Sequence, residues 1–158
     1  MKTEINDKVC ESIGLYLSNK NCVLIDLDLS RNLISDVGLA TIMTSLITSC
    51  SLMYLNLASN YIRDKGLLKL VEFLHKPKCT LVELSLSNNK INNEGIEIFA
   101  GFLAKNQSLK MLDLSKNEFS DHGFDYFAVE IAKNTCLSFL DISRNKDIND
   151  EGSLVTLM

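Results

Sequence analysis

A nine-residue pattern, Leu-x-x-Leu-x-Leu-x-x-Asn, recurs five times in this chain of 158 residues, with Ile142 in place of the third leucine in the last copy. Its asparagines are separated by 28, 29, 28 and 28 residues and lie at Asn32, Asn60, Asn89, Asn117 and Asn145. A unit of this length is too short to bury its own apolar face, so each repeat has to stack on the next. The period therefore predicts a solenoid of stacked repeats.

Each repeat is predicted to contain one short strand. In the first repeat, leucines alternate with polar residues, in the order Asp26, Leu27, Asp28, Leu29 and Ser30. This period of two is typical of a strand with one buried face. The strands recur once per repeat in the same direction, so we expect a parallel sheet. The amide of the following asparagine can bond to backbone groups of the turn, which indicates a structural role for all five asparagines.

A helix is predicted to follow each turn. An Asp or Asn stands two residues before a glycine in four repeats, as Asp36 and Gly38, Asp64 and Gly66, Asn93 and Gly95, and Asp121 and Gly123. The Asp or Asn predicts a helix N-cap, and the glycine predicts close packing between neighbouring repeats. Apolar residues then recur at helical spacing and predict one buried face per helix, for example Leu39, Ile42, Met43 and Leu46.

The repeats are expected to be units of a single domain. We expect residues 1–158 to form a single repeat domain, in which residues 1–21 are a half-repeat cap without a strand. Five strand-bearing repeats are expected to start near residues 24, 52, 81, 109 and 137. The last repeat is truncated, and residues 153–158 are predicted to begin a sixth helix with no polar cap behind it. We therefore expect a longer array, or another chain packed on the open carboxy-terminal repeat.

Composition and charge exclude several classes of partner. The net charge of −4 comes from 20 acidic and 16 basic residues with no basic cluster, so nucleic acid is not an expected ligand. No apolar segment is long enough to cross a membrane, and the amino terminus lacks an apolar signal core. The odd number of cysteines, five, favours a reducing compartment. These features predict a cytoplasmic protein without membrane contacts.

Candidate catalytic and metal-binding residues are few. The two histidines, His75 and His122, have no recognisable nucleophile or base partner in the sequence. Cys22, Cys50, Cys79 and Cys136 precede the first leucine of a repeat by one or two residues. We interpret them as small apolar turn residues, with a metal site or redox switch as the alternative. No phosphate, zinc-hydrolase or calcium motif is present, so neither a cofactor nor an enzymatic activity is expected.

The combined pattern, Leu-x-x-Leu-x-Leu-x-x-Asn-x-Ile-x-Asp-x-Gly-Leu, resembles the leucine-rich repeat superfamily and specifically its ribonuclease-inhibitor-like class. The resemblance covers nearly the whole chain. It implies an α/β fold, a curved horseshoe segment with a parallel inner β-sheet and outer α-helices, and a role in protein binding inside cells. Similar repeats occur in Ran GTPase activators, nucleotide-binding immune receptors, tropomodulin-like actin-capping proteins and axonemal or centrosomal scaffolds. The matching residues build the fold and do not choose among these relatives.

Binding specificity is expected at strand positions that the repeat leaves free, which point into the concave face. The first column of such positions holds Asp26, Tyr54, Glu83, Met111 and Phe139. The second column holds Asp28, Asn56, Ser85, Asp113 and Asp141. Exposed aromatic and methionine side chains are good interface anchors, so Tyr54, Met111 and Phe139 are predicted to form a partner-binding strip. The alternative is that they shield the edge of the core or face a neighbouring terminal segment.

A third column is expected beside the acidic one, formed by Arg31, Ser59, Asn88, Lys116 and Arg144. Its charges would either neutralise the carboxylates or contact a protein surface of mixed charge. The sequence thus predicts a non-catalytic interaction module or scaffold, cytoplasmic or part of a cytoskeletal or axonemal assembly. The alternatives are a regulator of a small GTPase, resembling the Ran activators, and the sensing repeats of an immune receptor or effector.

Overall fold

The computed structural model describes residues 4–46, 51–76 and 79–146 and the backbone of 154–156. Helices and strands alternate along these residues. The helices are α1 (Asp7–Leu17), α2 (Asp36–Ser45), α3 (Asp64–Leu74), α4 (Asn93–Leu103) and α5 (Asp121–Ile131). The strands are β1 (Asp26–Asp28), β2 (Tyr54–Asn56), β3 (Glu83–Ser85), β4 (Met111–Asp113), β5 (Phe139–Asp141) and β6 (Leu154–Thr156). Strands β1 to β5 pair in parallel in chain order, so the predicted α/β repeat solenoid is confirmed.

The core lies between the sheet and the helices. The middle leucine of each strand pairs with the middle leucine of the next, and the leucines that follow the strands, such as Leu57 and Leu86, are fully buried. Helix residues close the other side, among them Ile42 and Phe99 at 0% exposure. Burying one such side chain contributes roughly 1.5–3 kcal/mol, so stacking of the repeats supplies most of the stabilisation. The predicted apolar helix faces are therefore confirmed, although Phe124 is only half-buried.

The repeated asparagine joins neighbouring repeats through their backbones. The Nδ2 of Asn89 donates to the carbonyl oxygens of Leu86 in its own repeat and Leu57 in the preceding one, both at 3.0 Å. Its Oδ1 accepts a bond of 3.0 Å from the backbone N–H of Ile62. Asn60 and Asn117 make the same three kinds of bond. The structural role predicted for the asparagines is confirmed.

The sequence pattern predicted that the Asp or Asn two residues before each glycine is the helix N-cap, and this prediction is wrong. The Asp or Asn is the first helical residue, and the N-cap is the residue before it, for example Ser35 before Asp36. The Asp36 carboxylate instead accepts a bond of 2.7 Å from the backbone N–H of Arg63, which is the N-cap of the next helix. Asp64 accepts from Asn92 in the same way, at 3.0 Å. The first residue of one helix therefore bonds to the N-cap residue of the following helix. Where it is an aspartate, its negative charge also interacts favourably with the positive N-terminal end of its own helix dipole.

The glycine two residues later leaves room for the carboxylate of the preceding repeat. A Cβ atom added to Gly66 would lie 2.5 Å from Oδ1 of Asp36, well inside van der Waals contact. Gly123 would meet Oδ1 of Asn93 at 2.6 Å. The predicted close packing between repeats is confirmed, and its cause is this Asp-to-backbone bond.

The third column has a backbone feature that its side chains do not signal. Arg31, Ser59, Asn88, Lys116 and Arg144 all have positive φ, between 53° and 58°. This left-handed conformation usually requires glycine or asparagine. These residues are therefore turn residues held in place by the repeat.

The carboxy-terminal segment contradicts the prediction of a sixth helix. Residues 154–156 form β6, which pairs antiparallel with β5 so that Val155 lies opposite Leu140. The edge of β5 offers unpaired backbone groups, and Val155 and Thr156 favour strands. Strand β6 thus pairs with the sheet edge of the last repeat, and the packing of another chain on that repeat stays a prediction.

Candidate protein-binding site

The parallel register places the first column of free residues in one row. Asp26 pairs with Tyr54, Tyr54 with Glu83, Glu83 with Met111, and Met111 with Phe139. Neighbouring strands of a sheet are about 4.8 Å apart, so these side chains are neighbours across the sheet. The second column runs parallel to the first, two residues further along each strand.

The two columns line an open cavity on the strand face, which we call the strand-face cavity. Its volume is about 460 Å³. Nine of the ten residues of the two columns line it; the exception, Asp141, lies at the end of β5 in the second column. The complete lining is Asp26, Asp28, Tyr54, Leu55, Asn56, Glu83, Leu84, Ser85, Met111, Leu112, Asp113 and Phe139.

The apolar members of the first column differ in exposure. Tyr54 is 36% exposed and Met111 is 38% exposed, although both stand on strands whose middle leucines are buried. Phe139 is half-buried, and its backbone pairs with Thr156 of β6. Tyr54 and Met111 are the apolar groups that a partner would reach first.

The second column has a structural task as well. Oδ1 of Asp28 accepts a bond of 2.8 Å from the backbone N–H of Ser30, and Oδ1 of Asn56 accepts one of 3.1 Å from Ala58. Asp113 and Asp141 repeat this bond to the residue two positions later. Such local side-chain bonds are typical of Asx turns. The side chains of the second column therefore stabilise the turn that follows each strand, whereas those of the first column are freer to contact a partner.

The cavity is acidic. Four carboxylates line it, those of Asp26, Asp28, Glu83 and Asp113, and none of its described lining residues is a lysine or arginine. The bond from the Ser30 backbone N–H, helped by the Ser30 side chain, lowers the pKa of Asp28, so this carboxylate is ionised at neutral pH. The third-column cations Arg31, Lys116 and Arg144 do not line the cavity. The lining itself is therefore acidic, although Arg31 lies near enough to Asp28 to contribute to the lowering of its pKa.

The two histidines and the cysteines of the described residues do not line the cavity. Nδ1 of His75 is 2.9 Å from the carbonyl oxygen of Val71, and its ring packs edge-on against Phe102. Burial raises the pKa of the Cys10 thiol to about 11, with a smaller contribution from Asp7, and burial also raises the pKa of Cys79. In the described part of the chain, no three His, Cys, Asp or Glu side chains are placed to share a metal ion. Cys50 lies outside the described residues.

Comparison with known proteins decides the family. The model of the leucine-rich repeat family matches five segments, 20–43, 48–71, 78–100, 105–128 and 133–153, which together span more than half of the chain. This chain belongs to the leucine-rich repeat family. No curated protein matches this leucine-rich repeat chain in sequence.

A solved structure supports the same fold for this leucine-rich repeat protein. It is that of "Leiomodin-1 Actin-Binding Site 2 (ABS2)", with a TM-score of 0.66 and 22% sequence identity. The similarity covers 82% of this chain and 74% of the leiomodin chain. Among the described residues, no helix has the length and apolar character needed to span a bilayer.

Proposed function

We propose that this leucine-rich repeat protein is a non-catalytic interaction module or scaffold that binds a protein partner through the strand-face cavity. The observation that carries the proposal is the acidic cavity itself, in which Tyr54 and Met111 stand exposed on a hydrogen-bonded sheet. Because the sheet is already ordered, docking loses little further conformational entropy. Pre-organisation of this kind is how a repeat protein turns a modest contact area into affinity.

The cavity also supports a proposal about the chemistry of the partner. Carboxylates of Asp26, Asp28, Glu83 and Asp113 surround the exposed Tyr54 and Met111. The complementary surface carries lysine or arginine side chains next to apolar ones, since complementary charge speeds association and excludes acidic competitors. Tyrosine and methionine then supply apolar contact area at the centre of the interface.

The leiomodin structure guides the choice of the first partner to test. Its name describes an actin-binding site of leiomodin, and the two chains share the repeat fold. On this basis we propose actin as the first partner to test, and a cytoplasmic location within a cytoskeletal or axonemal assembly. The GTPase-regulator and immune-sensing alternatives draw no specific support from the described residues.

The domain organisation is part of the proposal. Helix α1 packs on α2 as α2 packs on α3, which supports one repeat domain over residues 1–158 with residues 1–21 as its amino-terminal cap. The covered edge of β5 leaves the strand-face cavity as the surface that we assign to the partner.

A double substitution tests the cavity as a binding site. Tyr54→Ala with Phe139→Ala is expected to weaken binding of the partner at least about tenfold, because interface anchors contribute more than about 1 kcal/mol each. Binding to actin is measured by co-sedimentation with filaments, and other partners are first identified by cross-linking mass spectrometry of the native assembly. The matched control is Tyr126→Ala with Val129→Ala, which removes two side chains that are exposed on α5.

The outcomes separate the levels of the proposal. Unchanged affinity of the cavity variant, with its fold intact by circular dichroism, rejects the cavity as the binding site. Loss of binding in the α5 control instead assigns the interface to the helical side. If actin does not co-sediment but a cross-linked partner depends on Tyr54 and Phe139, actin is rejected and the interaction module stands.

A further inference from the structure

Acidic and apolar side chains alternate along the first column of the strand-face cavity. In strand order the column reads Asp26, Tyr54, Glu83, Met111 and Phe139, and each residue lies opposite the next in the parallel register. The two acidic residues are therefore two strands apart, and so are the exposed apolar residues of β2 and β4. Because neighbouring strands are about 4.8 Å apart, each of these pairs is separated by about 9.6 Å.

The carboxylates of the first column are available to a partner. In the described part of the chain, the side chains of Asp26 and Glu83 form no ion pair and accept no hydrogen bond. Asp28 and Asp113 of the second column instead accept bonds from the turns that follow their strands. Burying an unpaired charge is costly, so a partner that covers the cavity has to bring a cation to Asp26 and to Glu83.

An α-helix laid across the strands reproduces the spacing of the column. Its side chains recur on one face at positions i, i+3, i+7 and i+10, and i and i+7 are about 10.5 Å apart. This distance is within about 1 Å of the separation of alternate strands. An extended segment laid the same way has about 6.7 Å between side chains on one face, so its second contact falls between two strands.

The width of the lining also suits a helix. The second column lies two residues further along each strand, which is about 6.6 Å from the first column. A helix with its side chains is about 10–12 Å across and covers both columns at once. Asp28 and Asp113 then lie beside the helix, where further lysine or arginine side chains can reach their carboxylates.

We propose that the strand-face cavity binds an amphipathic α-helix of the partner, laid across the strands, with basic residues seven positions apart. Lysine or arginine at i and i+7 meets Asp26 and Glu83. Apolar side chains at i+3 and i+10 pack on Tyr54 and Met111, and one at i+14 packs on Phe139. Anchors with this spacing are the usual means by which a groove recognises a helix. The inference rests on the proposed function, because it specifies the partner of the same cavity.

Two synthetic peptides of one composition distinguish a helix from an extended segment. The first has lysine at i and i+7, leucine at i+3, i+10 and i+14, and alanine or glutamine elsewhere. The second places the same lysines and leucines at every second position. Fluorescence anisotropy with the whole chain measures both, and the first peptide is expected to bind at least about tenfold more tightly. Isotope-edited infrared spectra of the ¹³C-labelled first peptide should show helix formation on binding.

A charge exchange tests the register of the helix. The lysine at i+7 is the central anchor and faces Glu83 in either direction of the helix. Glu83→Lys should therefore weaken the first peptide at least about tenfold, because like charges then meet. Replacing that lysine of the peptide by glutamate should restore the affinity for the Glu83→Lys chain.

The matched control for the exchange is Asp125→Lys. Asp125 is exposed on α5, away from the cavity lining, and its substitution changes the net charge of the chain by the same amount. This variant should leave the affinity of the first peptide unchanged and should not rescue the glutamate peptide. Circular dichroism of both variants verifies that the fold is retained.

The outcomes separate this inference from the function on which it rests. Equal or tighter binding of the second peptide assigns the cavity to an extended segment and rejects the helix. No binding of either peptide also rejects the helix, and binding of the first peptide that is unaffected by Glu83→Lys places the helix elsewhere. The proposed function is decided separately, by whether the cross-linked partner depends on Tyr54 and Phe139.

Discussion

In each repeat, the strand and the turn that follows it lie a few residues apart, but the residue type is constant in the turn and variable in the strand. The turn carries asparagine in all five repeats, and the four from Asn60 to Asn145 are no more than 8% exposed. The first strand position instead carries Asp, Tyr, Glu, Met and Phe in turn. A side chain is repeated where it bonds to a neighbour's backbone, and it is free to change where it faces the strand-face cavity. The repeated residues therefore determine the fold, and we propose that the variable ones carry the binding specificity.

The strongest test of this comparison is to replace one asparagine by alanine in the turn and another in the strand. Asn89→Ala removes bonds to Ile62, Leu57 and Leu86 from a site that is 3% exposed. Each buried polar group left unpaired costs about 1–3 kcal/mol, so we expect the free energy of unfolding to fall by about 3 kcal/mol or more. Asn56→Ala, on the strand face, loses its bonds to Ala58 and to the Asp28 carboxylate at a half-buried site and should cost only about 0.5–1.5 kcal/mol. Urea denaturation measures both, and equal losses would contradict the division of roles.

A second test concerns the carboxylate that separates neighbouring helices. Gly66→Ala places a Cβ against the Asp36 side chain and should destabilise the fold by about 1–3 kcal/mol, as overpacking does. In a chain that already carries Asp36→Ala, the same change should cost at least about 1 kcal/mol less, because the obstructing oxygen is gone. Additive losses in this double-mutant cycle would show that the carboxylate is not the reason for the glycine.

A glycine in the same protein provides the control for that cycle. A Cβ added to Gly101, within α4, meets no atom within 4 Å. Gly101→Ala is therefore expected to stabilise the protein by about 0.5–1 kcal/mol through helix propensity. The opposite signs at Gly66 and Gly101 would distinguish a packing requirement from a general effect of glycine.

The smallest effect is expected at the left-handed turn residues. Lys116→Gly relieves the strain of φ at 56° but gives the unfolded chain more freedom, so the net gain should be about 0.5 kcal/mol. Asn88→Gly should be close to neutral, because asparagine tolerates this conformation. Thermal unfolding of the two variants checks the difference, and a loss of stability in Lys116→Gly would mean that its side chain contributes contacts that outweigh the strain.

The periodic parts of the fold could be predicted from the sequence because one pattern is repeated five times. The buried leucines, the structural asparagines and the column order all follow from the period, since parallel strands in register align equivalent residues. The predicted N-cap position was wrong by one residue. Ser35 and Asp36 are both favourable at a helix N-terminus, and the pattern alone does not rank them. Only the bond from Arg63 to Asp36 shows what the carboxylate does.

The remaining features depend on contacts that no single repeat encodes. The left-handed turn is occupied by Arg, Ser, Asn and Lys, so residue type gives no signal of positive φ. Residues 154–156 become a strand because β5 offers an edge, which is a property of the assembled sheet. The acidic lining of the strand-face cavity likewise depends on the turn, which places Lys116 and both arginines outside the lining.

Hydroxyl-radical footprinting of the native assembly tests the central claim most directly, because tyrosine and methionine side chains report their own exposure. Tyr54 in the strand-face cavity is 36% exposed and Tyr126 on α5 is 48% exposed, so the free protein should be labelled at both. In the assembly, we predict strong protection of Tyr54 and Met111 and unchanged labelling of Tyr126. Protection of Tyr126 with Tyr54 and Met111 still labelled would contradict the assignment of the partner to the strand face.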